Sequence, residues 1–358
     1  MNDSIHVFEP EPIELRPSNP AEPGIVRRRR GRGFSYQDAR GRPVRDPATI
    51  RRVKALAIPP AWTDVWICAD PLGHVQAVGT DAAGRRQYRY HDEWRRQQDR
   101  AKFDRVLLIA EHLPAFRARV AEHLQGRGLT RRRVLATAAR MLDVGFFRVG
   151  GEEYTDSFGL ATLRVEHITC ANGTVTCSYP AKGGKQREQL LADEQVCAVV
   201  RALCSRGAGE LLRFKEDGRW RDVRSADINA YLKEIFGAVV PEEVTAKDFR
   251  TWHATVLAAV GLAVSAPARG SRGQKRAVSR VMTEVAEYLG NTPAVARASY
   301  VDPRVVELYE RGHTIAPALA HLGADAETLG THGEAEKAVI ELLRRTRGRT
   351  RSRTGRPG

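Results

Sequence analysis

The chain has 358 residues, 42% of them hydrophobic, and a formal net charge of +15. That length favours two or more domains, and that apolar fraction supports a real core. No run of 18 apolar residues occurs, which excludes a transmembrane helix, while the basic excess favours a polyanionic partner, most often nucleic acid.

Residues 1–26 read as a flexible acidic leader without the basic start and apolar stretch of a secretory signal. Arg27, Arg28, Arg29, Arg30 and Arg32 sit among Gly31, Gly33, Phe34 and Tyr36, a composition suited to tracking a nucleic-acid backbone. A solvated tail is the plain alternative. From about 34 to 92, short alternating runs such as 65–68 and 74–79 are broken by Gly, Pro and Asp. This is the pattern of a small, mostly β domain. Residues 93–104, rich in charge and Gln, read as a linker.

Beyond residue 105 the period becomes helical. Val134, Leu135, Ala138, Met141 and Leu142 share one face behind a Thr130 cap. Residues 165–170 and 174–179 flank Asn172-Gly173, a dipeptide suited to the positive φ values of a tight hairpin. Helices are expected at about 188–204, 225–236, 246–262 and 275–289, with Ser225 and Thr245 as N-caps. Cys68, Cys170, Cys177, Cys197 and Cys204 form no C-x-x-C pair and read as reduced core or strand residues. Residues 344–358 hold seven arginines among Thr, Gly and Ser, a disordered tail suited to phosphates. The fold class is therefore α+β. A leader (1–26) and a β-rich domain (27–97) precede a mostly helical domain with a small β-sheet or hairpin (98–343), and a tail (344–358) follows.

Common cofactor motifs are missing: there is no Walker loop, no G-x-G-x-x-G after a strand, no H-E-x-x-H and no acidic cluster of a two-metal nuclease. Chemistry on phosphates would rest on protein cations and a protein nucleophile. Four segments supply them. Phe147-Arg148-Val149-Gly150-Gly151, with Tyr154 and Gly159 downstream, puts an arginine beside glycines that permit close backbone approach. Tyr179-Pro180-Ala181-Lys182-Gly183-Gly184-Lys185 follows the hairpin. Lys247-Asp248-Phe249-Arg250 opens an amphipathic helix. In Leu289-Gly290-Asn291-Thr292-Pro293, Gly290 ends one helix and Thr292-Pro293 starts another, with Tyr300 about two turns on. Each segment alone has an ordinary structural reading.

Together, Arg148, Lys182, Arg250 and Tyr300, nine residues after Asn291, resemble the active site of type IB DNA topoisomerases, with the short poxviral and bacterial branch most similar. The resemblance runs from about Arg27 to Gly312. It implies that Tyr300 attacks phosphorus to form a 3′-phosphotyrosyl bond, that Arg148 and Arg250 hold the phosphate oxygens, and that Lys182 protonates the 5′-oxygen. Lys185 is the alternative acid. Asn291 stands where histidine is usual, and its carboxamide supports a hydrogen-bonding role only. Gln87, Tyr88 and Tyr90 resemble a DNA-touching stretch of the family; Arg85, Arg86 and Tyr154 are assigned to DNA with them. The implied enzyme is a monomer of the cytoplasm and nucleoid that closes as a clamp on duplex DNA, independent of membrane, nucleotide cofactor and metal. The rivals are a site-specific tyrosine recombinase, which usually carries His-x-x-Arg in place of Lys247-Asp248-Phe249-Arg250, and a non-catalytic basic DNA-binding protein.

Overall fold

The computed structural model describes residues 13–151, 157–181, 184–240, 243–265, 270–319 and 332–347. The chain divides into two compact units, Met1–Lys102 and Phe103–Gly358.

The first unit holds strands β1 (Ile25–Arg30), β2 (Gly33–Gln37), β3 (Thr63–Ile67), β4 (Val75–Thr80) and β5 (Arg86–Tyr90), with helix α1 (Pro47–Ala55). The strands form one antiparallel sheet in the order β2-β1-β3-β4-β5. Ile25, Val53, Val65, Ile67 and Ala77 make its core. The arginine run forms strand β1 rather than the alternative of a solvated tail, and two expectations change nearby. Arg27 is buried because its guanidinium donates to the carbonyls of Ile58, Pro59 and Trp62 (3.1, 3.1 and 2.7 Å) and lies 4.1 Å over the Phe34 ring. Those carbonyls and that ring replace the water that the charge gives up on burial. Residues 13–24 are not free leader: Ser18 Oγ donates to Val75 O (3.0 Å) and accepts from Val75 N (2.9 Å). Helix α1 interrupts the strands because Asp46 caps Thr49 N (2.8 Å) and Pro47 presets the first turn, although only Val53 is buried.

Residues 93–104 are helix, not linker. They lie in α2 (Asp92–Leu124), where Arg, Gln, Lys and Ala are good helix formers and Asp92 and Glu93 favour the N-terminal dipole end. The second unit continues with α3 (Arg131–Val144), β6 (Ile168–Ala171), β7 (Thr174–Ala181), β8 (Lys185–Ala192), α4 (Glu194–Cys204), β9 (Arg213–Glu216), β10 (Arg219–Asp222), α5 (Ser225–Phe236), α6 (Ala246–Val264), α7 (Ser271–Leu289), α8 (Pro293–Ser299), α9 (Pro303–Glu310), α10 (Ala316–Leu319) and α11 (Glu334–Arg347). Thr130 caps α3 as expected, and Val134, Leu135, Ala138, Met141 and Leu142 are all buried. The hairpin turn at Asn172 (φ 48°) and Gly173 (φ 75°) joins β6 to β7.

Residues 188–192 form strand rather than helix. Pairing of β7 with β8 over eight residues buries Gln189 and Leu191 on alternate positions, and α4 starts only after the Asp193 cap. The cap of α5 falls one residue before Ser225, where Arg224 N donates to Asp227 Oδ2 (3.0 Å). Phe116 of α2 packs between Phe236 (4.9 Å) and Phe249 (5.2 Å), tying α5 and α6 to the core. Helix α11 carries the start of the expected tail: Arg344 pairs with Glu111 at 2.8 Å. Residues 348–358 lie outside the described residues.

Candidate active site

Arg148 follows α3 in a loop fixed by glycines. Gly150 (φ 85°) and Gly159 touch so closely that a Cβ on Gly159 would come within 2.4 Å of Gly150 Cα. Only glycine permits that approach. The two segments then hydrogen-bond, Leu160 N to Arg148 O at 2.8 Å and Ala161 N to Val149 O at 2.7 Å. The spaced glycines seen in the sequence therefore lock the loop that presents Arg148.

Arg250 comes from the second turn of α6, whose first turn is closed by Thr245 N donating to the Asp248 carboxylate (2.8 Å). It is 3% exposed. One arm of its fork donates to Phe146 O and the other to Leu289 O (2.8 Å), joining the Arg148 loop to the end of α7. Burial, then the like charge of Arg148, pushes its pKa down to about 10, so it stays cationic at neutral pH.

Helix α7 ends at Gly290 in the left-handed region (φ 62°), with Asn291 N bonded back to Ala286 O (2.9 Å). That turn delivers Asn291. Its Oδ1 accepts from Arg148 Nη2, which also reaches Gly290 O (3.1 Å). Thr292 and Pro293 then start α8, and Tyr300 is its C-cap. Thr255 of α6 donates to Tyr300 O (3.3 Å), so the backbone of Tyr300 is anchored to the helix carrying Arg250. The Arg250 guanidinium carbon lies 5.4 Å from the Tyr300 ring centroid.

Two donors here have no acceptor: Arg250 Nε and Asn291 Nδ2 are buried without a hydrogen-bond partner. Buried donors normally find partners, so this pair marks a place for an acceptor oxygen. A rival phenol, Tyr179, lines the same cleft, but burial pushes it up to about 12 and its hydroxyl donates to Gln189 Oε1 (2.6 Å). That environment suits a core residue rather than a nucleophile. Among the described residues, no group of His, Cys, Asp and Glu is arranged to hold a metal ion, and no helix is long and apolar enough to cross a membrane.

The structure thus brings Arg148, Arg250, Asn291 and Tyr300 together. Lys182 and Tyr154 lie outside the described residues; Lys185 is described, exposed and paired across the hairpin with Ala181. In the first unit, Arg86, Tyr88 and Tyr90 share the exposed face of β5, and the two tyrosine rings stack at 6.0 Å. Gln87 turns to the other face and donates to Asp81 Oδ2 (3.0 Å), which also holds Arg85 (3.0 Å). Sequence reasoning missed Arg187, which joins Arg148 and Arg250 in lining the cleft, and Lys247, whose Nζ lies 5.9 Å from the Tyr300 ring centroid. Arg187 belongs to no motif, and only the strand alternation of β8 could have directed it inward.

Residues 91–317 match the family described as "Eukaryotic DNA topoisomerase I, catalytic core", and residues 33–81 match "Bacterial DNA topoisomerase IB, N-terminal domain". The chain is also similar to "DNA topoisomerase 1B" of Acanthamoeba polyphaga mimivirus. The two are 28% identical over 298 residues, covering 80% of this chain and 88% of the relative.

Proposed function

The chain belongs to the type IB DNA topoisomerase family through its catalytic core, and we propose that Tyr300 is the residue that opens and reseals one strand of duplex DNA. The enzyme relaxes supercoils of either sign by transient single-strand cleavage, rotation and religation. The observation that carries the site assignment is the convergence of Arg148, Arg250 and Asn291 beside Tyr300, with two buried donors lacking an acceptor.

In the cleavage step the Tyr300 oxygen forms a bond to phosphorus, its proton passes to solvent, and the bond from phosphorus to the 5′-oxygen breaks. Lys182 gives its proton to that oxygen, because an alkoxide is a poor leaving group. Arg148 and Arg250 match the two non-bridging oxygens with planar forks, and Asn291 donates through Nδ2. Donors aimed at developing charge contribute roughly 3–4 kcal/mol each. One ester replaces another, so resealing is the reverse reaction and draws on no ATP. Arg86, Tyr88 and Tyr90 meet the duplex from the other unit. Their exposure, two stacked rings beside a cation, supports that role. With a charge of +15, the reading extends to a monomer at work on cytoplasmic DNA.

The test is relaxation of negatively and positively supercoiled plasmid in EDTA without ATP. Wild-type protein should relax both stepwise, and Tyr300→Phe should bind DNA yet form no covalent complex. A relaxing Tyr300→Phe protein would remove Tyr300 from the mechanism.

A further inference from the structure

Arg187 of β8 reaches the last turn of α7, where its Nη1 donates to Glu287 O (3.2 Å) and its Nη2 to Tyr288 O. Arg250 holds the next carbonyl, Leu289 O (2.8 Å), and Arg148 the one after, Gly290 O (3.1 Å). Three guanidiniums from three elements therefore sit in file on the negative end of one helix dipole. A Cβ at Gly290 would lie 2.9 Å from Arg187 Nη1, so this glycine also makes room for the third cation. Among the described residues, none of the three is paired with a carboxylate, although Arg105, Arg117, Arg140 and Arg304 all are. Burial lowers the pKa of Arg187; the Tyr179 phenol opposes that shift and the like charge of Arg148 adds to it.

Assembling three cations without an anion is unfavourable unless an anion arrives. A phosphodiester has two non-bridging oxygens. In the proposed reaction Arg148, Arg250 and the Asn291 amide are assigned to them, with Arg250 Nε and Asn291 Nδ2 the donors left unpartnered. The third guanidinium is displaced along the helix end from the Asn291 corner, on the carbonyls of Glu287 and Tyr288.

We propose that Arg187 is a DNA-binding residue that grips a phosphodiester adjoining the scissile one on the cleaved strand. This rests on the reading of the site as a topoisomerase centre and extends it. Arg187 contributes to binding, and the chemical step stays with the groups around Tyr300.

The test compares Tyr300→Phe, Tyr300→Phe/Arg187→Ala and Tyr300→Phe/Arg187→Lys in duplex binding across a salt series, with thermal unfolding of each. Loss of one phosphate contact should reduce the slope of log affinity against log salt by about one and weaken binding roughly tenfold at 0.1 M salt, a difference that fades toward 1 M. Arg187→Lys should keep the slope. Duplexes with a neutral methylphosphonate at single positions then locate the contact. At one adjoining phosphate, the neutral group should abolish the difference in affinity between Tyr300→Phe and Tyr300→Phe/Arg187→Ala. In the Tyr300 background, Arg187→Ala should need roughly tenfold more duplex than wild type to reach half-maximal covalent complex at 0.1 M salt. An unchanged slope, with or without a lower melting temperature, makes Arg187 a structural clamp and overturns the proposal. So does a difference silenced only at the scissile phosphate. If wild-type protein forms no covalent complex with DNA, the parent reading fails. If it does and the slope is unchanged, only the Arg187 assignment fails.

Discussion

Two arginine clusters lie within the second unit, and they are built on opposite rules. In one, Arg117 donates through Nε and Nη2 to Asp143 (2.9 Å each) and through Nη1 to Glu336 (2.6 Å). Glu336 also accepts from Trp252 Nε1 (2.7 Å), and Arg140 bridges Asp143 and Asp193. Burial alone would lower the pKa of Arg117, but hydrogen bonds to Glu336 and Asp143 outweigh it and hold the guanidinium above its ordinary value. In the other, the partners of Arg148, Arg187 and Arg250 among the described residues are backbone carbonyls, the Asn291 amide and the Tyr179 and Tyr300 phenols, with no carboxylate, and the pKa of Arg250 falls. A neutralised cluster is finished structure: it staples α2, α3 and α11 to α6. An unbalanced cluster stores a demand for an anion. The same residue type thus marks cement in one place and a substrate site in the other, and within this unit the carboxylate partners separate them.

The sharpest way to break this contrast is to remove one arginine from each cluster. Arg117→Ala should cost about 3–5 kcal/mol of stability, because two buried carboxylates lose their partner. Urea unfolding measures it, and the protein that stays folded should still cleave DNA. Arg250→Ala should instead slow cleavage by about 10²–10³ while costing less stability than Arg117→Ala, since it also relieves like-charge repulsion. Arg148→Ala should behave in the same way. If Arg250→Ala unfolds the protein as badly as Arg117→Ala, the two clusters do not differ in kind.

His253 sharpens the comparison because it stands between them. Its ring meets His332 (5.6 Å), which approaches Asp143 at 3.5 Å, and on the other side Phe146 (5.3 Å), whose carbonyl holds Arg250. Burial, then His332, pushes its pKa down to about 4 from an ordinary 6.5. Below 6.5 the unfolded chain takes up a proton that the folded chain refuses until about 4. Stability should therefore fall as pH drops through that window, by up to about 3 kcal/mol. The pKa of Asp143 is depressed, so the stability it contributes persists above its unfolded value and is lost only as pH falls through its lower folded value. His253→Leu should flatten the upper window, leaving smaller slopes from His123 and His167, which shift in the same direction. An unchanged slope in His253→Leu would show that the proton uptake lies elsewhere.

The same contrast explains what the sequence disclosed. Arg148, Arg250, Asn291 and Tyr300 were legible because local devices hold them: paired glycines around Arg148, an acidic first-turn acceptor before Arg250, and a glycine stop with a Thr-Pro start before Tyr300. The Asn172-Gly173 hairpin and the α3 face were legible for the same reason. Arg187 and the link from Arg117 to Glu336 were not, because their partners lie 100 and 219 residues away along the chain. Strand β8 was mistaken for helix because cross-strand pairing with β7 overrides the helical propensity of Gln, Glu and Leu. The 93–104 stretch reads as a linker because it is rich in charge and Gln and poor in apolar residues, yet helix propensity and the Glu93–Arg96 and Asp99–Lys102 pairs carry it into α2.

The smallest expected effect comes from an arginine that is paired but exposed. Arg344 lies 2.8 Å from Glu111, with 58% of its side chain in solvent. Water screens such a pair, and holding two long side chains costs entropy, so Arg344→Ala should change stability far less than Arg117→Ala. It should leave cleavage unchanged. Helix α11 would remain attached through Glu336, which Arg117 and Trp252 hold from the interior. Calorimetry of Arg344→Ala beside Arg117→Ala separates pairing from burial. If loss of the exposed pair destabilises as much as Arg117→Ala, α11 is fastened at its outer end and the interior network is not the staple. If it costs little, burial is what turns a paired arginine such as Arg117 into cement.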